Sequence, residues 1–141
     1  MSVPGGPGLV LDASVAIAAV QREERTAEAE AIVRRYTPLG IVVPVLWHVE
    51  VGNILLLAER RQRLSAEGRE AHLRDLAALP ISVDYDGHGA AWGAAMALAQ
   101  RHRLTLYDGL YLELAVRLRV PLATFDAALV RAAAAEGVTV A

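Results

Sequence analysis

Short, unbroken apolar runs alternate with longer stretches of helical composition along the whole chain. Leu9-Val10-Leu11 closes on Asp12, Ile41-Val42-Val43 on Pro44, and Ile81-Ser82-Val83 follows Pro80. Pro121-Leu122-Ala123-Thr124 comes just before Asp126, and Val138-Thr139-Val140 is the last run. Strands that show no polar alternation have no face to give to water, so they belong to a parallel sheet covered on both sides. The expected fold is therefore α/β, three layers (α/β/α) with a central parallel sheet of four to five strands. The predicted helices run from Ala13 to Gln21, Glu23 to Tyr36, Pro44 to Arg61, Ser65 to Leu79, Gly89 to His102, Asp108 to Arg119 and Asp126 to Glu136. Pro44 is placed in a first helical turn, Ser65 as a cap, and Gly137 as a helix-ending glycine. With no linker or repeat, residues 1–141 read as a single domain whose Pro/Gly-rich residues 1–8 are expected to be flexible.

The 141 residues suffice for one buried core. Apolar residues make up 55% but aromatic ones only 5%, so that core is built from Ala, Val, Leu and Ile, and the excess apolar surface suggests a partner chain or a homodimer. No run approaches the ~18 residues of a membrane span, and the N-terminus lacks the basic region of a signal peptide. A cytoplasmic protein is expected. The absence of cysteine excludes thiol nucleophiles, disulfides and Cys-ligated zinc. All basic residues are arginine, which removes Walker-type phosphate loops and Schiff-base chemistry. A net charge of −2 offers no general basic face, so any contact with nucleic acid must come from local arginines.

Most glutamates have an ordinary explanation. Glu30 with Arg34, Glu59 with Arg63, Glu70 with Arg74 and Glu113 with Arg117 are spaced i,i+4, acid first, as exposed helical pairs. Glu50 differs. Its neighbours three and four positions away are Leu46, Trp47, Asn53 and Ile54, and a helix starting at Pro44 would put it too deep to serve the N-terminal dipole. An unpaired carboxylate in so apolar a segment is costly unless another group receives it. Asp12, Asp108 and Asp126 each precede a helical stretch and would serve as N-caps. An N-cap at the carboxyl end of a strand also faces the crevice where α/β sites form. Asp75, Asp84 and Asp86 read as structural. Clustered carboxylates need a cation, and an oxygen-only set suits Mg²⁺ or Mn²⁺. His48, His72, His88 and His102 show no ligand spacing.

At these residues the sequence resembles the PIN-domain family, and most closely its VapC-type toxin ribonucleases. Val10 to Val15 (VLDASV) resembles the family's first strand and acid, with Ser14 at a small hydroxyl position. Pro44 to Asn53 (PVLWHVEVGN) resembles the helix whose Glu and Asn face the site. Leu104 to Ala115 (LTLYDGLYLELA) resembles the stretch of the third acid, and Leu122 to Leu129 (LATFDAAL) the strand end carrying Thr124 and the fourth. The resemblance covers the chain after its first eight residues. It implies an endoribonuclease that hydrolyses RNA phosphodiester bonds with Mg²⁺ or Mn²⁺. Asp12, Glu50, Asp108 and Asp126 would be the catalytic and metal-binding acids, with Ser14, Asn53 and Thr124 in support. It also implies a small cognate antitoxin and a homodimer.

The alternative is a catalytically silent PIN-like module that binds RNA or protein; the acidic net charge favours it and the complete acid set opposes it. A dehalogenase-type phosphatase would need a second Asp where Ser14 stands, and a lysine. Arg22 and Arg25, or Arg101 and Arg103, are candidate RNA contacts, although a helix pair or helix-end role is the simpler account of any one of them.

Overall fold

A computed structural model describes residues 7–141; residues 1–6 lie outside it, and with them most of the stretch expected to be flexible. The elements run β1 (Leu9–Leu11), α1 (Ala13–Val20), α2 (Thr26–Tyr36), a 3-10 turn (Thr37–Leu39), β2 (Ile41–Pro44), α3 (Trp47–Arg60), α4 (Ala66–Ala77), β3 (Ile81–Asp84), α5 (Gly87–Ala90), α6 (Ala94–His102), α7 (Leu106–Leu118), β4 (Leu122–Ala123) and α8 (Ala127–Ala135). The four strands form one parallel sheet in the order β3-β2-β1-β4, the expected α/β architecture. Among the described residues a fifth strand does not form: Val140 makes only an isolated parallel bridge to Leu122.

Leu9, Val10 and Leu11 are completely buried, as are Ile41 and Val43 next to them. Each such side chain contributes about 1.5–3 kcal/mol of burial, so β1 is anchored from both sides. Tyr111, Leu112 and Leu114 of α7 and Leu129 of α8 complete this core. Chain order reverses at β1, with β2 on one side and β4 on the other, which opens a crevice at their carboxyl ends.

Several boundaries differ from expectation. Pro44 is the last residue of β2, opposite Asp84 of β3, and α3 begins only at Trp47; a proline without an N–H costs little where the ladder stops. Glu50 consequently lies in the first turn of α3. The helix expected from Gly89 breaks at Gly93 into α5 and α6, because glycine is among the weakest helix formers. Ser65 does cap α4, accepting from Gly68 N at 3.0 Å, and Gly137 adopts φ 76° after α8. Gly109 matters for packing. A Cβ there would lie 2.7 Å from the Ala95 carbonyl oxygen and 3.0 Å from Ala99 Cβ, so α6 and α7 meet backbone to backbone.

The helical ion pairs are also redistributed. Glu113 does bond Arg117 at 2.8 Å, but it is buried, and the same guanidinium reaches Asp84 at the end of β3. Glu59 pairs with Arg69 rather than Arg63. Among the described residues, Glu30–Arg34 and Glu70–Arg74 form no ion pair.

Candidate metal centre

Asp12 follows β1 directly and is 7% exposed. Its N–H donates to the Ala123 carbonyl of β4 at 2.9 Å, which fixes its backbone across the reversal point of the sheet. Its side chain makes no cap bond to α1. Instead Oδ2 accepts from Ser14 Oγ and from Thr124 Oγ1, both at 2.7 Å. Ser14 Oγ in turn accepts from Phe125 N at 3.1 Å, and Thr124 Oγ1 from Asp126 N at 3.1 Å. The two hydroxyls thereby lock β1, the start of α1 and the end of β4 into one network. Asp126 caps α8 as expected, its Oδ2 accepting from Leu129 N at 2.9 Å.

Glu50 reaches the site from α3. Its partner lies on α7: the phenol of Tyr111, itself fully buried, donates to Glu50 Oε1 at 2.6 Å. Burial raises the Glu50 pKa, the Tyr111 bond opposes that rise, and the charge of Asp12 adds to it. Burial and Glu50 together push the Tyr111 phenol far above its usual range. Asp108 is not the cap of α7. Thr105 is, with extended backbone and Oγ1 accepting from Asp108 N at 3.2 Å, which places Asp108 inside the first turn and half-buried. Its pKa is raised to about 6, first by burial and then by Asp12, Asp126 and Glu50, with Thr105 pulling the other way. The four acids therefore act on one another across one crevice.

Asn53 lies one turn beyond Glu50 on α3, exposed, and bonds none of the acids among the described residues. Tyr111 was absent from the sequence-based set; it follows Asp108 by three residues and so shares its helix face, the one local signal that pointed to it. Two histidines have structural partners, His72 on Gln21 Oε1 and His102 on Glu136. A groove of about 480 Å³ lies elsewhere, between Val20, Val33, Pro38, Leu76 and Leu79.

The donor set fits a hard dication. Asp12, Glu50 and Asp126 are each fixed through one oxygen and leave the other without a protein partner among the described residues. Carboxylates held this way are oriented without being used up. Burial first, and then the charges of Asp12, Asp126 and Glu50, raise the Asp108 pKa, and a cation would relieve the charge part of that rise. Among the described residues no three acidic or histidine side chains are grouped closely enough to hold an ion between them.

A parallel α/β sheet whose chain order reverses at β1, with acids beyond its carboxyl edge, defines an α/β protein with a crevice site at the strand ends. More specifically, the chain belongs to the PIN domain family, whose model matches residues 9–135. PIN domains are generally nucleases and typically use divalent metal ions. Two solved structures are similar. PAE2754 from Pyrobaculum aerophilum shares 20% identity at a TM-score of 0.70, over 95% of this chain and 83% of its own. FitAcB from Neisseria gonorrhoeae shares 15% identity at a TM-score of 0.65, over 94% of this chain and 95% of its own. At these identities they speak for the fold. Among curated proteins none matches this chain. No helix among the described residues is long and apolar enough to cross a membrane.

Proposed function

We propose that this chain is a Mg²⁺- or Mn²⁺-dependent endoribonuclease acting as the toxin of a toxin–antitoxin pair. Asp12, Glu50, Asp108 and Asp126 are its metal-binding acids. The observation that carries the reading is the shared design of Asp12, Glu50 and Asp126, each pinned through one oxygen with no protein partner on the other among the described residues, around a half-buried Asp108.

When bound, the dication would polarise the phosphodiester, supply a water of lowered pKa and offset transition-state charge. Ser14 and Thr124 hold Asp12 in place, Tyr111 holds Glu50, and Thr105 fixes the turn that presents Asp108. Asn53, exposed one turn from Glu50, is assigned to the substrate side of the site. Burial of Asp12 keeps bulk water from competing for its Oδ2. The exposed apolar residues Val49, Tyr85, Trp92 and Met96 support an antitoxin or a second copy of the chain as a partner, since isolated exposed residues are ordinary but a set of large ones favours association.

The deciding experiment is cleavage of single-stranded RNA with and without Mg²⁺ or Mn²⁺ by the wild type, Asp12→Asn and Asp108→Asn. The expected result is metal-dependent cleavage that each substitution lowers by roughly a hundredfold or more, the rate equivalent of several kcal/mol, while circular dichroism shows folded protein. Equal cleavage by all three would sink the enzyme reading and leave a non-cleaving binding module.

A further inference from the structure

We propose that Arg25 is a phosphate-binding residue that grips the RNA backbone beside the scissile position, a role that rests on the nuclease reading above. Arg25 stands at the entry to α2, and its guanidinium carbon lies 3.6 Å from the centre of the Phe125 ring. Phe125 is built into the acid network. It sits between Thr124, which bonds Asp12, and Asp126, and its own N–H donates to Ser14 Oγ at 3.1 Å. The residue whose backbone joins the acid network thus carries the ring on which Arg25 rests.

The guanidinium is also preorganised. Nε and Nη2 form a two-pronged pair with Glu28, each at 2.9 Å, while the ring of Phe125 supports one face. Nη1 has no hydrogen-bond partner among the described residues. The loop beneath is braced by Thr26, whose Oγ1 accepts from Glu23 N at 2.8 Å and donates to the Gln21 carbonyl at 3.2 Å. A planar fork held on two sides with a free edge binds a phosphate at little entropic cost. An exposed i,i+3 pair contributes little to stability, so fold stability is a weak reason for this arrangement.

The position suits a flanking phosphate rather than the scissile one. Helix α1 has eight residues, about 12 Å of rise at 1.5 Å per residue, and it leads away from Asp12 to the loop that carries Arg25. The Phe125 side chain reaches Arg25 from a backbone position between Thr124 and Asp126. The other arginines with assigned partners serve different places: Arg35 lies over the Tyr36 ring, Arg69 meets Glu59, Arg101 meets Glu136, and Arg117 joins Asp84 to Glu113. A crevice lined with acids repels the RNA backbone, and the unpaired Nη1 edge of Arg25 is offered to a phosphate there against the charges of Glu28, Glu23 and Glu24.

The test measures binding of a fluorescent twelve-nucleotide single-stranded RNA of mixed sequence by anisotropy, across a salt series. The proteins are the wild type, Arg25→Ala, Arg25→Lys, Phe125→Leu and, as a charge control, Arg60→Ala at the far end of α3. Arg25→Ala is expected to weaken binding five- to tenfold and to reduce the salt slope by about 0.7, the single-strand value for one phosphate contact. Arg25→Lys recovers part of the loss, Phe125→Leu loses part of the affinity, and Arg60→Ala changes it less than twofold. In cleavage assays Arg25→Ala raises KM more than it lowers kcat, and Mn²⁺ affinity measured calorimetrically is unchanged. Binding by Arg25→Ala equal to wild type, or a loss matched by Arg60→Ala, overturns the proposal. If Arg25→Ala binds normally while Asp12→Asn is inactive, Arg25 fails alone; if Asp12→Asn still cleaves, the nuclease reading fails, and the binding series still decides Arg25.

Discussion

The Tyr111 phenol donates to Glu50 Oε1 at 2.6 Å, joining two helices whose contact residues lie 61 positions apart. This bond holds a half-buried carboxylate charged and oriented at once. Tyr111→Phe keeps the ring and its packing while deleting the donor. The expected cost is about 1–2 kcal/mol in chemical denaturation, because Glu50 loses its partner without gaining water. Mn²⁺ affinity should fall by about tenfold, the usual effect of losing a group that orients a ligand. Unchanged Mn²⁺ binding with full stability would show that Tyr111 only fills space.

Asp108 predicts the pH dependence of the metal-free chain. Its folded pKa is about 6 against an ordinary 3.8, so the folded state holds a proton that the unfolded chain has already released. Where the native state binds more protons, stability falls as pH rises. Metal-free protein should therefore lose Tm between about pH 4 and pH 7, Glu50 adding in the same direction. Asp108→Asn should flatten that slope, and saturating Mg²⁺ should reverse it by favouring the ionised carboxylates. A Tm that climbs steadily over this range without metal contradicts the mutual repulsion described for the acids.

Physical distance explains which parts of this site could be read from sequence. Asp126 as the α8 cap follows from local spacing and is legible, whereas Ser14 enters only through the family resemblance. Glu50 stands out because nothing within its own helix offsets its charge, yet its bond to Tyr111 is a tertiary contact across 61 positions, and the spacing of Tyr111 from Asp108 hints only at a shared helix face. Asp108 was taken for a cap because two cap-forming residues, Thr105 and Asp108, lie three apart and the backbone alone decides between them. Pro44 was placed in a helix since proline suits a first helical turn as well as a strand's end. Glu113 read as surface decoration because i,i+4 spacing to Arg117 says nothing about which face is buried. The strands β1 and β2 were plain throughout, because three consecutive apolar residues bounded by an acid or a proline have few other uses.

Arg117 supports the edge of the sheet nearest α5. Its guanidinium holds Asp84 and Glu113, whose side chains are 9% and 7% exposed, and it keeps the Asp84 carboxyl below the ordinary carboxylate range. Arg117→Ala strands two buried carboxylates and should cost about 3–5 kcal/mol at pH 7. A depressed acid pKa gives stability that is present above the unfolded value and lost as pH falls through the folded one. The gap between wild type and Arg117→Ala should accordingly shrink as pH drops below about 4. A gap independent of pH would assign the loss to packing by the arginine stem.

Gly109 and Gly52 are both helical, and they should respond to alanine in opposite directions. A Cβ on Gly109 would press on the Ala95 carbonyl oxygen and Ala99 Cβ, whereas one on Gly52 meets nothing within 4 Å. Gly52→Ala should gain the helix-propensity difference, about 0.5–1 kcal/mol. Gly109→Ala gains the same propensity but must part α6 from α7, and backbone cannot yield as a side-chain tip does. A net loss of about 1–3 kcal/mol is expected in urea unfolding. Because Asp108 is the preceding residue, the shift also moves a carboxylate within the crevice. Cleavage should fall by about tenfold even where the variant is fully folded, since displacements under 1 Å are costly at a reacting centre. If Gly109→Ala is as stable as Gly52→Ala and cleaves normally, the close contact of α6 with α7 does not position Asp108.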